Sequence, residues 1–559
     1  MQTRRRLKMF AACMALVMLA LFAVSGCSQN TPPDDATTPS FSHQSGVYEA
    51  RSIDVTLTAP KGSTIAYTTD GRVPTADDDT GKALVRVRLR SDEAGYLVQH
   101  ADLMGFSEVV EMRLYESASL PDERVLRAAL VNESGEIGEV VTRAYLLDVD
   151  LAKRFPNCLV ISIVTDPANL LDYDTGIMAL GAAYDEWAES EEAAASAETG
   201  AWWDIKGNFS QHGKEWERPC LMQIYETGST TPTVEVGAGI RITGNVSRTI
   251  AQKSFNFYFR DEYGAKWLDY ELFDGTERYR NFRMRAGGNN AMWLKFKDAY
   301  LMELLQDRAC LAAQSRPAVL FINGEYWGPY LLSEKVNAQM IADHTGADKD
   351  QVVIMKEGEV DEGADEDIAL YEELMAFADR DLADSDVWQE FCDMMDVQSF
   401  ADYAAARIYV GDADWSPVKN DILWRSRDDS YNGGRWQYVL YDIEYSTGLY
   451  GDPLDSYETD HFRKALEDYP LFAAAMRNAE FRELFTEALV EIGSVDCSVE
   501  HTEDVLAGYL DTWNPLMSDY YARFGDRKVY WDDALKDMRR FFNNRYDYIV
   551  PIVQEWRPE

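Results

Sequence analysis

Residues 236–260 read VGAGIRITGNVSRTIAQKSFNFYFR. VGAGIRITG and KSFNFYFR have the composition of strands, and Gly244-Asn245 supplies the residues a turn needs before the second of them. Arg241, Arg248 and Lys253 surround that turn, which itself offers backbone N–H groups and the Ser247 hydroxyl. Such a group can cradle phosphates. A surface β-turn with flanking ion pairs has the same composition, so both readings stand at this point.

Outward from the turn the pattern stays β on the N-terminal side. LVISIVTD (159–166) and RPCLMQIYE (218–226) are further strands, and NLLDYDTGIMALG (169–181) connects them. The Ala/Glu-rich stretch EWAESEEAAASAET (186–199) suits either a helix or a solvated insertion. On the C-terminal side FKDAYLMELLQDRACLAA predicts a helix over 296–313, and AVLFINGEYWGPYLLSEKV (318–336) a hairpin turning at Asn323-Gly324. Helical spacing with many aromatics returns over 366–408 and 476–548. Strands first and helices later give an α+β domain over 150–559. No internal repeat of 20–50 residues is evident, which excludes a solenoid.

Residues 41–149 carry a different β signature. SIDVTLTAP and STIAYTTDG alternate apolar and polar residues between turns at Pro60-Lys61-Gly62 and Asp70-Gly71, and RVRLR, ERVLRAALV and VVTRAYLLDV follow. Short strands with such turns predict a small antiparallel β-sandwich. SGVYEARSIDVTLTAPKGSTIAYTTDGRVPT (45–75) resembles the immunoglobulin-like module at the end of chitobiases and hexosaminidases, a spacer to which no catalytic residue is assigned.

The first 26 residues hold a basic cluster, TRRRLK, and an apolar run from Met9 to Val24, the marks of a secretory signal. Val24-Ser25-Gly26-Cys27 resembles a bacterial lipobox. It implies lipidation of Cys27 and an extracytoplasmic protein anchored to the bacterial cell membrane. Residues 27–40 then read as a polar, Pro-rich tether. Cys13 and Cys27 belong to the export segment; the remaining five cysteines, Cys158, Cys220, Cys310, Cys392 and Cys497, have no CxxC spacing and read as buried free thiols. Six histidines without HExxH argue against zinc hydrolase chemistry.

Charge narrows the partners. Against 54 Lys and Arg stand 96 Asp and Glu, a formal −42. The signal segment holds four of the bases (Arg4, Arg5, Arg6, Lys8) and no acid, so the rest has 50 bases against 96 acids, or −46. Such a surface is a poor holder of nucleic acid. With 46% hydrophobic and 12% aromatic residues, the chain is not an acidic disordered tail either.

A second candidate cluster is Asp412-Ala-Asp414-Trp415, then Asn420, then Asp442-Ile-Glu444. Asp442 and Glu444 follow WQYVLY, which places both carboxylates at a strand end and on one side. Carboxylates and an amide oxygen suit Mg²⁺. Kinases use an Asp beside the acceptor hydroxyl, an Asn a few residues on and a second Asp at a strand end. Here Asp414 and Asn420 are six apart, one more than in HRDxxxxN. Loop acids capping helices would look the same in so acidic a chain. Paired acids also serve glycoside hydrolysis, but that chemistry has no use for the basic turn.

Taken in order, seven segments resemble the spore coat protein H (CotH) kinase family. They are NLLDYDTGIMALG, NFSQHGKEWERPCLMQIYE, GIRITGNVSR, KSFNFYFR, VLFINGEYWGPYLLSEKV, GDADWSPVKNDILWR and WQYVLYDIEYSTG, spanning about 150–450. The resemblance implies an atypical protein-kinase-like domain using ATP and Mg²⁺ or Mn²⁺ to phosphorylate Ser or Thr on a surface or spore-coat protein. Gly244, Asn245, Ser247 and Arg248 match the family's RGNSSR-like turn, Arg241 stands at its first position, and Lys253 matches the lysine on nucleotide phosphates. Asp414 matches the catalytic Asp. Asn420 and Asp442 match metal ligands, and Glu444 stands where members often carry a second Asp. Glu334 is a candidate partner for Lys253, while Asn323, Gly324, Gly328 and Tyr330 belong to the hairpin. ATP is scarce outside the cell, which leaves an alternative: a catalytically degenerate surface protein that keeps the fold for binding.

Overall fold

The computed structural model describes residues 37–558 except 92, 106–113, 116, 118, 450, 452 and 526–527. The signal segment, Cys27 and most of the tether lie outside the described residues. The protein mixes sheet and helix, with strands concentrated before residue 340 and helices after it.

The opening 236–260 stretch forms two of seven strands that close into a ring. Val234–Thr243 pairs with Ser254–Tyr258 on one side and Arg218–Tyr225 on the other, all antiparallel. Arg218–Tyr225 pairs with Leu159–Val164, which lies parallel to Ser315–Ile322. The hairpin partner Glu325–Ser333 then meets Asn281–Arg285, which returns to Ser254–Tyr258. The hairpin turns at Asn323-Gly324 as expected, with φ of 49° and 88°, the left-handed pair that a two-residue turn between twisted strands requires. Phe255, Phe257, Phe282, Met284, Leu320 and Leu332 are among the side chains buried where the strands pack.

The helix expected over 296–313 runs only over Lys297–Leu304. Past it the chain is recruited elsewhere. The Ala309 N–H donates to Asp402, Arg308 pairs with Glu491 and Asp496, and Leu311–Ala312 joins a sheet. That second, five-stranded sheet also holds Val352–Lys356, Glu359–Glu362, Ile422–Ser426 and Gln437–Leu440. The Ala/Glu-rich stretch is helical, Gly181–Ala188 and Glu191–Thr199, the second capped by the Ser190 side chain. The C-terminal helices Ala479–Glu491, Val499–Phe524 and Lys528–Glu555 share the large aromatic core with the Ala-rich helix Val397–Val410. Among the described helices none is long and apolar enough to cross a membrane.

Residues 40–147 make two facing sheets around their own core of Val55, Leu57, Ile65, Leu89, Leu126 and Tyr145. One sheet is Ser40–Phe41, Ser52–Thr58 and Leu84–Arg90. The other is continuous with the ring, because Asp122 at the head of Asp122–Val131 pairs with Glu325. Cys158, Cys220, Cys310 and Cys497 are buried free thiols, and Cys392 is half-buried and free.

Candidate functional site

A cavity of about 820 Å³ opens between the ring and the second sheet, and the two candidate clusters meet across it. Arg241, Gly244, Asn245, Ser247 and Arg248 line one side, and Asp414, Asn420, Asp442 and Glu444 the other. A second cavity of about 920 Å³, between the sandwich and the ring, holds none of these residues.

The basic turn is rigid. Val234–Thr243 ends at Gly244, where φ is 107° and a Cβ would run into Ser247 Oγ. Arg248 pins the turn from below: Nε donates to Gly244 O at 2.6 Å, and Nη1 to Phe209 O and Gln211 O at 2.9 and 3.0 Å. Burial brings this guanidinium down to about 10. Arg241 stacks on Tyr258, 4.1 Å from the ring centroid, and reaches Glu217 at 3.5 Å.

Lys253 departs from its expected place. It does not line the cavity; its amine is buried, donates to Arg248 O at 2.6 Å and lies 3.8 Å over the Phe209 ring. Burial, helped by the nearby Arg248 charge, pushes it down to about 7. Nor does it pair with Glu334, which bonds His344 Nε2 at 2.9 Å instead.

The acidic side hangs on one buried cation. Arg407, on the helix Val397–Val410, forms a fully buried ion pair with Asp412 and donates to Asn420 O at 2.6 Å and Tyr441 O at 2.7 Å. One guanidinium therefore fixes both acid-bearing loops. Asp412 in turn accepts from the Asp414 N–H at 3.0 Å. The extra residue between Asp414 and Asn420 is absorbed by a pinched turn, in which Ser416 and Lys419 exchange backbone bonds of 3.2 and 3.0 Å. Lys419 folds back onto Asp414 Oδ1, and Asn420 Nδ2 donates to Asp414 Oδ2 at 3.3 Å. Asn420 and Asp442 have φ of 58° and 53°, and nearby Glu357 and Thr447 have 55° and 54°. Left-handed non-glycine residues cost about 1–3 kcal/mol each and gather where the surroundings over-determine them.

Sequence reasoning missed the centre of this site. Arg285 bonds Asp298, reaches Asp442 Oδ1 at 2.8 Å and lies 3.4 Å from Glu444 Oε2. Asp442 and Glu444 thus do face the same way. Burial disfavours charge on both. The Arg285 guanidinium wins at Asp442 and holds it below its ordinary value, whereas burial prevails at Glu444 and pushes it up to about 8. Glu444 Oε1 also accepts the Asn289 N–H at 2.7 Å. The alternation Arg283-Met284-Arg285 on a strand places both arginines on one face and was the available signal. Nothing in the Ala-rich helix around Arg407 marked it out.

Asp298, Asp442 and Glu444 share one guanidinium, and the donors are hard oxygens. Among the described residues no three His, Cys, Asp or Glu side chains form a metal cage. The arrangement therefore fits a Mg²⁺-like ion held by one or two carboxylates together with phosphate oxygens rather than an all-protein site.

Residues 240–549 match the family model described as CotH kinase protein, a span that contains every residue discussed at the cavity from Arg241 to Glu444. No curated protein matches the chain.

Proposed function

This chain belongs to the CotH kinase protein family, and on that premise we propose that it moves the γ-phosphoryl group of ATP to a Ser or Thr hydroxyl of a protein partner. The observation that carries the reading is the meeting of a rigid basic turn and a strained, acid-bearing pair of loops across one cavity. The ring with the second sheet and helices is read as an atypical kinase-like fold, and residues 41–149 as an immunoglobulin-like spacer. Lipidation at Cys27 would hold the protein at the outer face of the membrane, against a surface or spore-coat substrate.

In this reading the N–H groups of Gly244, Asn245, Val246 and Ser247 bind phosphate oxygens, and Arg241, held by Glu217 and Tyr258, lends its charge beside them. Asp414 orients the acceptor hydroxyl and takes its proton as that oxygen attacks the γ-phosphorus and the bond to the β,γ-bridging oxygen breaks. Asp442 and Asn420 would hold the divalent metal, with Glu444 behind them braced by Asn289. The metal would neutralise charge on the phosphates. Arg407 keeps both loops in register throughout.

The test is incubation of residues 28–559 with γ-labelled ATP and Mg²⁺ or Mn²⁺, alone and with co-secreted proteins. Label transfer that Asp442→Ala abolishes is expected. Undiminished transfer in that variant would mean the site is elsewhere. One observation favours the second reading, a degenerate surface-binding protein: the lysine expected on the phosphates is buried away from the cavity. No transfer, together with no metal-dependent nucleotide binding, would sink the kinase reading and leave that alternative.

A further inference from the structure

If Lys253 is out of reach, some other cation must meet the phosphates, and the bonding of the cavity's cations singles out two of them. Six cations line the cavity: Arg241, Arg248, Arg283, Arg285, Lys356 and Lys419. Four are already committed. Arg241 reaches Glu217, Arg285 is shared among three carboxylates, Lys419 is paired with Asp414, and Arg248 bonds three backbone carbonyls and His212 Nδ1.

Arg283 and Lys356 differ. Arg283 Nη1 donates to the Tyr441 hydroxyl at 3.2 Å, and Nε to Asn256 Oδ1 at 3.4 Å, both neutral groups. Lys356 Nζ stands 5.0 Å from the centroid of the same Tyr441 ring. Among the described residues neither forms an ion pair. In a chain with 96 acids, two half-buried cations with no carboxylate at ion-pair distance, one from each side of the cavity, are an exception, although Arg283 acts on Asp442 at longer range. They come from separate sheets, Arg283 from Asn281–Arg285 and Lys356 from the end of Val352–Lys356, so the fold brings them to Tyr441 from both sides. Asp442, the next residue, places the acidic loop directly beside them.

We propose that Arg283 and Lys356, bracketing Tyr441, form the polyphosphate-binding subsite, taking the role assigned by resemblance to Lys253. This rests on the kinase reading of the same cavity. Arg283 offers the planar fork and Lys356 the mobile point charge that together suit adjacent phosphate groups. Tyr441 acts as a positioning residue that spaces them.

Calorimetric titration of residues 28–559 with ATP and with inorganic tripolyphosphate, each with Mg²⁺, tests this. Arg283→Gln and Lys356→Gln should each weaken both ligands by about tenfold or more, with thermal unfolding near that of the parent chain. Lys356, at a strand end, is the safer of the two for folding. Parent-like affinity for ATP in both folded variants would overturn the assignment. So would weakened ATP binding with unchanged tripolyphosphate binding, since the cations would then be reading another part of the nucleotide. A parent chain that binds neither ligand would refute the kinase reading itself, and the subsite with it.

Discussion

Lys253 shows how far a residue's identity can travel from its role. Its position after the basic turn matched a phosphate lysine, yet five residues of tight turn bring its amine back under Arg248. The direction was there in the alternation of the strand: Ser254, Asn256 and Tyr258 line the cavity, alternating with Phe255 and Phe257, which face the core, so Lys253 falls on the phenylalanine side. With Lys253 near 7 in the fold and near its ordinary 10.5 when unfolded, the unfolded chain holds the extra proton between those values. The linkage therefore stabilises the fold as pH rises from 7 to 10. Comparing unfolding midpoints of the parent chain and Lys253→Met at pH 7 and 9 should show the parent gaining on the variant, by at most about 1.4 kcal/mol per pH unit. Nucleotide affinity should stay within about twofold. At Gly288 a Cβ would strike Glu444 Oε1. Gly288→Ala should displace that carboxylate and lower stability by about 1–3 kcal/mol, measured by denaturant unfolding.

At the scale of elements, the sequence was most readable where turn chemistry and alternation agreed. The Asn323-Gly324 hairpin and the strands flanking Gly244-Asn245 stand where expected, and so do the late helices. The run at 296–313 failed because side-chain partners far along the chain, Asp402, Glu491 and Asp496, capture its second half. Apart from Gln437–Leu440, read within WQYVLY, the second sheet was missed for a related reason. Val352–Lys356 and Ile422–Ser426 are short and buried, without alternation, and their pairing spans 70 residues. That sheet carries Lys356, which therefore went unread, whereas Asp442 at the end of WQYVLY was legible. The pinched turn at Ser416–Lys419 was visible only as a spacing one residue too long. Deleting Val418 would break the paired backbone bonds that seat Lys419 on Asp414. Phosphoryl transfer should then fall by at least about a hundredfold, while ATP affinity, read by calorimetry, changes far less.

Across the whole molecule, closure of the ring depends on Leu159–Val164 lying parallel to Ser315–Ile322, a contact between segments about 150 residues apart that no local signal encodes. The sandwich is likewise less separate than its composition suggested. Glu123, on the strand that joins it to the ring, is fully buried, accepts from Ser162 Oγ at 2.8 Å, and is pushed up to about 8 by burial. The folded chain therefore binds a proton there that the unfolded chain has lost above its ordinary 4.5, and this contribution weakens as pH rises toward 8. Glu123→Gln should gain stability relative to the parent between pH 5.5 and 8, seen as a converging or crossing pair of unfolding midpoints. An unchanged difference would mean that Glu123 is ionised in the fold.

The acidity of the chain takes its meaning at this scale too. With 96 acids spread over the sequence, a phosphate-bearing ligand is repelled except where cations face one cavity and a divalent ion can offset Asp442 and Glu444. The most direct measurement is ATP binding to residues 28–559 with and without Mg²⁺, in the parent and in Asp442→Ala. Mg²⁺ should tighten ATP binding to the parent by tenfold or more, about 1.4 kcal/mol, and that gain should vanish in Asp442→Ala. Binding that ignores the metal, or a metal effect that survives the substitution, would contradict a catalytic cavity built from these two loops and this turn.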